Sequence, residues 1–146
     1  ASIPPAQALA PDIPAQAGPL NVALVDDSLT MRMGWRTTIG MHTAYLGFRG
    51  SQEFWAACAQ DAGYLDRLDV IVTDYNFAPD DPEDGGTFAR ALRGRGYRGL
   101  IFRASGESDL GAEIEALFDA DVGKSPLKGE DFLALVATAR QARDRV

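Results

Sequence analysis

The chain has 146 residues, with 14 Lys+Arg against 21 Asp+Glu and a formal net charge of -7. That is room for one domain with a full core, and the wrong sign of charge for wrapping a nucleic-acid backbone. A single cysteine, Cys58, excludes an internal disulfide and a cysteine-built metal site. No apolar run approaches the ~20 residues of a membrane span and the first residues lack the pattern of a signal peptide, so the expected setting is soluble, reducing and cytoplasmic.

Residues 1–20 hold Pro4, Pro5, Pro11, Pro14 and Pro19 among Ala and Gln. Such a stretch cannot bury enough apolar surface to order itself and reads as a flexible linker, with the folded domain over 21–146. The chain opens on Ala1 rather than Met, as a piece of a longer protein would. From Asn21 a first strand runs to Val25 and ends in the pair Asp26 and Asp27. Ser28 is a good N-cap for a helix on which Met31, Trp35 and Ile39 repeat at helical spacing. Thr43 to Phe48 makes a second strand with an edge-like mixture of residues, and the lone His42 before it is expected at the surface. Ser51 is expected to cap a second helix, with Phe54, Ala57, Cys58 and Leu65 inward. Cys58 reads there as a small core residue.

The third strand, Val70-Ile71-Val72, is short, apolar and β-branched, as suits a strand covered on both faces. It stops at Asp74, and a loop with Pro79, Pro82, Gly85 and Gly86 follows. Asp80, Asp81, Glu83 and Asp84 give that loop an acidic cluster, expected to be a solvated turn. A short helix is predicted from Thr87 to about Leu92, and a fourth strand from Gly99 to Ser105. Ser108 begins a fourth helix with Leu110, Ile114, Leu117 and Phe118 on one side. Asp121 to Gly123 remains for strand five, before Lys124, Ser125 and Pro126, and the last helix carries Phe132, Leu135, Val136 and Ala139.

Five repeats of β followed by α predict a doubly wound five-stranded parallel sheet with helices on both faces, in the flavodoxin-like strand order 2-1-3-4-5. That order sets strands one and three side by side, so that Asp26, Asp27 and Asp74 converge at the C-terminal edge, where open α/β folds place their ligands. Three neighbouring carboxylates repel one another, and a hard divalent cation such as Mg²⁺ relieves the repulsion while favouring phosphate oxygens as co-ligands. Ser105 at the end of strand four offers a hydroxyl on that edge, and Lys124 a mobile ammonium. Together these groups suit phosphoryl transfer to a carboxylate.

Over residues 21–146 the chain resembles the receiver domains of bacterial two-component response regulators. The matching motifs are Val25-Asp26-Asp27-Ser28, Thr73-Asp74-Tyr75-Asn76, Ala104-Ser105-Gly106-Glu107, and Lys124 with Pro126 close behind. Their spacing also fits, at 31 residues from Asp74 to Ser105 and 19 from Ser105 to Lys124. The resemblance implies that Asp74 accepts a phosphoryl group from a histidine kinase or histidine phosphotransfer protein. It implies that Asp26, Asp27, Asp74 and the carbonyl of Asn76 hold Mg²⁺, and that Ser105 and Lys124 contact the phosphoryl group. It further implies a downstream protein partner on the face made by the fourth helix, strand five and the last helix. Asn76 and Glu107 stand at the two positions that flank the path of the hydrolytic water in that family.

Four departures from the family pattern stand out. Asp121 occupies a position that is usually aromatic and is expected to stay exposed near the end of strand five. Ser125 separates Lys124 from Pro126, Gly106 stands where Ala is common, and the loop 78–86 is longer than usual. A pseudo-receiver that binds partners without being phosphorylated is therefore the alternative reading. A haloacid-dehalogenase-like phosphatase shares the nucleophile but needs a second acid where this chain has Asn76. Gly123-Lys124-Ser125 imitates the end of a P-loop, but no glycine-rich turn precedes it. Nothing after the last helix suggests an output domain, which leaves a stand-alone receiver or the receiver of a hybrid kinase.

Overall fold

Short apolar strands alternate with helices along the chain and assemble into a five-stranded parallel sheet in the order β2-β1-β3-β4-β5. The computed structural model describes residues 19–104 and 111–144. Its strands are β1 (Leu20–Val25), β2 (Thr43–Phe48), β3 (Val70–Thr73), β4 (Leu100–Arg103) and β5 (Ala120–Asp121). Its helices are α1 (Leu29–Ile39), α2 (Ser51–Gln60), α3 (Tyr64–Arg67), α4 (Gly85–Gly94), α5 (Ala112–Glu115) and α6 (Gly129–Asp144). This is the doubly wound, flavodoxin-like architecture that the β/α alternation predicts. Of the linker expected over residues 1–20, residues 1–18 lie outside the described part, and Leu20 already belongs to β1. Among the described residues no helix is long and apolar enough to cross a membrane.

Side chains that alternate along a strand point to opposite faces, so each apolar strand feeds two cores. On one face Val22, Leu24, Val70, Val72 and Phe102 pack against Trp35 and Ile39 of α1 and Phe132 and Val136 of α6. Trp35 meets Phe132 edge to face, with ring centroids 5.7 Å apart. On the other face Ala23, Val25, Ile71 and Ile101 pack against Phe54 of α2 and Phe88 and Leu92 of α4. Cys58 is half-buried against this second cluster, as expected of a small core residue, and His42 is exposed. Covering both faces leaves only the sheet's ends free for polar side chains.

Several helix starts differ from the sequence reading. Ser28 does cap α1, its Oγ accepting from the Met31 amide at 3.2 Å. At α2, however, Gly50 takes the cap position in extended backbone, and Ser51 is the first helical residue. The cap comes from far along the chain: Asp81 accepts from the Ser51 amide at 2.9 Å and from its Oγ at 2.6 Å. A Cβ on residue 50 would stand 2.6 Å from Asp81 Oδ2, which explains the glycine there. Glu83 joins the clasp, taking a 2.9 Å hydrogen bond from Trp55 Nε1. The acidic loop expected as a solvated turn is thus fastened at Asp81 and Glu83 to α2, because the bare amides at a helix start attract a carboxylate. Helix α4 starts two residues earlier than predicted, at Gly85, since Asp84 supplies its N-cap through the Thr87 amide at 2.8 Å. The single helix expected to carry both Phe54 and Leu65 is instead two, α2 and the four-residue α3, separated at residues 61–63.

Partial burial alone would raise the Asp81 pKa, but the Ser51 hydroxyl and the Glu83 and Ser51 amides outweigh it and hold the group below the usual carboxylate range. The clasp therefore stabilises the fold above the ordinary Asp range and is lost as the pH falls through the lowered folded-state value. Asp81→Ala should cost roughly 1–3 kcal/mol of stability at neutral pH, read from urea denaturation, and much less in acid. An unchanged midpoint would show that the loop holds nothing in place.

Candidate functional site

The register of the two central strands builds the site. Val22 pairs with Val70 and Val25 with Thr73, so β1 and β3 end level with each other. The ladder runs one residue further on each: the Asp74 amide donates to Val25 O and the Asp26 amide to Phe48 O, both at 2.9 Å. Backbone that well tied cannot move its carboxylates apart. Oxygens of Asp26, Asp27 and Asp74 all lie within 4.8 Å of one another.

Their surroundings differ. Asp26 is only 3% exposed, and its Oδ1 accepts from the Ser28 amide at 2.9 Å. Burial pushes its pKa up, with that hydrogen bond opposing. Asp27 is exposed, at the mouth of a cleft of about 550 Å³ lined also by Arg49, Gln52, Glu53, Asp80 and Asp81. Asp74 is half-buried, and its Oδ1 accepts from the Asn76 amide at 3.3 Å. Burial first, and the charge of Asp26 second, push the Asp74 pKa up to about 6. An all-oxygen donor set with like charges crowded in partial burial is the chemistry of a hard divalent cation site.

Other predicted residues lie along the same edge. Asn76 is exposed, two residues past Asp74. The Ala104 amide donates to Thr73 O at 2.9 Å, which keeps the end of β4 level with Asp74. Ser105 follows directly but lies, with Glu107, outside the described residues. Lys124 is exposed just beyond β5, with β4 between that strand and β3.

Two features escaped the sequence reading. Gly85 opens α4 directly against the Asp74–Tyr75 segment: its amide donates to Tyr75 O at 2.7 Å, and a Cβ there would stand 2.6 Å from Asp74 O. The available signal was a glycine right after the capping Asp84. The second is Arg103, buried at the end of β4, whose Nε donates to Asp121 Oδ2 at 2.9 Å. Asp121 is exposed as expected, yet it is ion-paired rather than a loose surface acid. A lone arginine closing the apolar run Leu100-Ile101-Phe102 was the signal.

No protein-family model matches the sequence, and no curated protein matches it. Solved structures do. A response regulator receiver domain protein from Clostridium thermocellum superposes with a TM-score of 0.66 at 17% identity, over 86% of this chain and 97% of that one. The chemotaxis response regulator CheY4 of Vibrio cholerae gives 0.63 at 23% identity, over 84% and 99%. A signal receiver domain of an HD domain-containing protein from Pseudomonas fluorescens Pf-5 gives 0.67 at 12% identity, over 88% and 100%. The chain has the receiver-domain fold. Within this receiver-domain fold, the acid cluster stands at the C-terminal edge of the two central strands.

The raised Asp74 pKa has a measurable consequence. Native Asp74 holds its proton more tightly than the unfolded chain does, so metal-free stability falls as the pH rises from 3.8 to about 6. In EDTA at neutral pH, Asp74→Asn should raise the melting temperature by about 2–6 °C, and the gap should close toward the ordinary carboxylate pKa. Added Mg²⁺ should then stabilise the unmodified chain more than the variant. A variant no more stable than the parent at neutral pH would mean that the acids do not repel.

Proposed function

We propose that the chain is a phosphoacceptor receiver, in which Asp74 takes a phosphoryl group from the phosphohistidine of a histidine kinase or histidine phosphotransfer protein as a signalling switch. The observation that carries this reading is the convergence of Asp26, Asp27 and Asp74 at one sheet edge of a receiver-domain fold. An Asp74 carboxylate oxygen attacks phosphorus, a P–O bond forms, and the P–N bond to the donor imidazole breaks. The imidazole leaves with the electron pair and takes up a proton, and the product is an acyl phosphate. Asp26, Asp27, Asp74 and the carbonyl of Asn76 would hold Mg²⁺. When bound, that ion supplies charge neutralisation for the crowded carboxylates and the incoming phosphoryl oxygens. Lys124 balances charge on the phosphoryl group from the β5 side, and Ser105 donates a hydrogen bond to it.

In this reading the residues before β1 are a linker and the receiver domain begins with Leu20. The exposed face of α5, β5 and α6 meets the downstream protein. The domain labels itself and turns over no separate substrate, which distinguishes it from a phosphatase. A pseudo-receiver would share the fold but take no label, and the complete three-carboxylate cluster favours the labelled form.

Incubation with acetyl phosphate and Mg²⁺ should add one phosphoryl group by mass spectrometry, none in Asp74→Asn, and little in EDTA or in Asp27→Ala. Full labelling of Asp74→Asn would overturn the assignment, and labelling undiminished in EDTA would remove the metal. Asn76 is polar, small and exposed, so it leaves room for a hydrolytic water beside the acyl phosphate. Asn76→Met should therefore slow decay of the label after donor removal by about ten-fold. Equal decay rates would show that this side chain does not set the lifetime.

A further inference from the structure

The Lys124 turn has weak support from the sheet. Strand β5 is two residues long, lies at the sheet's edge, and has only β4 as a neighbour. Its backbone ties to β4 flank it, Asp119 N to Ile101 O at 2.7 Å and Val122 N to Arg103 O at 2.8 Å. Lys124 then follows Gly123, whose φ of +79° turns the chain away from the strand. A lysine so placed would wander unless something else fixed the turn.

Carboxylates fix both ends of this strand. At its start, Asp119 Oδ2 accepts from the Ile101 amide at 2.9 Å and from Arg93 Nη2 at 3.1 Å. At its end, Asp121 does two things at once. Its Oδ2 accepts from Arg103 Nε at 2.9 Å and also from Nη2, while its Oδ1 accepts from the Gly123 amide at 2.8 Å. One carboxylate thereby joins the end of β4 to the residue before the lysine. Arg103 cannot easily give way: its side chain is 7% exposed, Cα partners set it opposite Asp121, and its guanidinium lies 5.8 Å from the Phe118 ring centroid. A charge-assisted, two-pronged contact of this kind is among the stronger polar interactions, and partial burial shields it from water, so the pair is held together.

We propose that Arg103 and Asp121 are a positioning pair that holds the Lys124 turn against the end of β4 and so sets how the ammonium meets the phosphoryl group on Asp74. The inference rests on the reading of Asp74 as phosphoacceptor. It assigns a role to a carboxylate that touches neither metal nor phosphoryl group. An aromatic side chain at that position could pack beside β4 but could not accept the Gly123 amide.

The test compares three variants with the unmodified chain, at a temperature where all are folded: Asp121→Ala, Asp121→Asn and, as a control at the other end of the strand, Asp119→Asn. Acetyl phosphate labelling rates and Mg²⁺ affinities are measured, with amide hydrogen exchange at Gly123 and Lys124. Asp121→Ala should slow labelling by about ten-fold or more with Mg²⁺ affinity unchanged, and should lose protection at Gly123. Asp121→Asn keeps an acceptor oxygen for that amide and should fall between. Asp119→Asn should lower the melting temperature while keeping the labelling rate within about two-fold of the parent. Where Asp121→Ala does not fold, the double variant Arg103→Met/Asp121→Ala removes both charges and should show the same slowed labelling. Labelling by Asp121→Ala at the parent rate, or slowing matched by Asp119→Asn, would overturn the proposal. If the unmodified chain takes no label, the phosphoacceptor reading fails on its own. Gly123 protection then still decides the pair: loss in Asp121→Ala alone supports the pinning, and unchanged protection refutes it.

Discussion

Three carboxylates that repel one another are held together at the end of a buried sheet, and the rest of the structure makes that possible. Burial of Val22 to Val25 and Val70 to Thr73 on both faces fixes the register of β1 and β3. Asp26 and Asp74 are carried on ladder residues, so their separation is set by backbone hydrogen bonds rather than by side-chain choice. Burial and repulsion are therefore held in the frame rather than relieved, and together, burial first, they push up the pKa of Asp74. A cation that removes the repulsion would act on a frame already arranged for it. Preorganisation of this kind costs stability in the resting domain and lowers the reorganisation needed at the moment of reaction.

The frame around the acids is tightened by ionic and polar clasps of long sequence reach. Asp81 caps α2 from the loop that follows the acceptor strand, and Glu83 ties the same loop to Trp55. Gly85 lets the α4 backbone press on the Asp74–Tyr75 segment. On the far side, Asp119 ties the start of the two-residue β5 to α4 through Arg93 and to β4 through the Ile101 amide, and Asp121 ties its end to β4 through Arg103. Each clasp replaces what a longer strand or a larger apolar contact would supply. The loop after β3 and the turn after β5 are thus coupled to helices and strands rather than left to solvent.

The two cores explain why so short a sheet is stable. Phe54, Phe88 and Phe48 cluster edge to face on one side, and Trp35, Phe132 and Phe102 do so on the other. Aromatic pairs at such spacing add to the burial of their area, and here they link α2 to α4 and α1 to α6 across strands only four to six residues long. Both helical layers are consequently anchored to the same strands that end in the site.

The sequence by itself determined the strand order, both core faces and the acids Asp26, Asp27 and Asp74. Those properties follow from local patterns: apolar β-branched runs, helical spacing of Met31, Trp35 and Ile39, and carboxylates placed at strand ends. Ser28 could be read as a cap because its partner, Met31, is three residues away. Ser51 could not be read correctly, because its partner Asp81 lies 30 residues on. Likewise Arg103 passed as one more residue of the fourth strand and Asp121 as an exposed acid in an aromatic's place until parallel pairing set them opposite each other, 18 residues apart. Only the tertiary structure decided these contacts, since a hydrogen bond between distant residues depends on where the backbone brings them and leaves no periodicity behind.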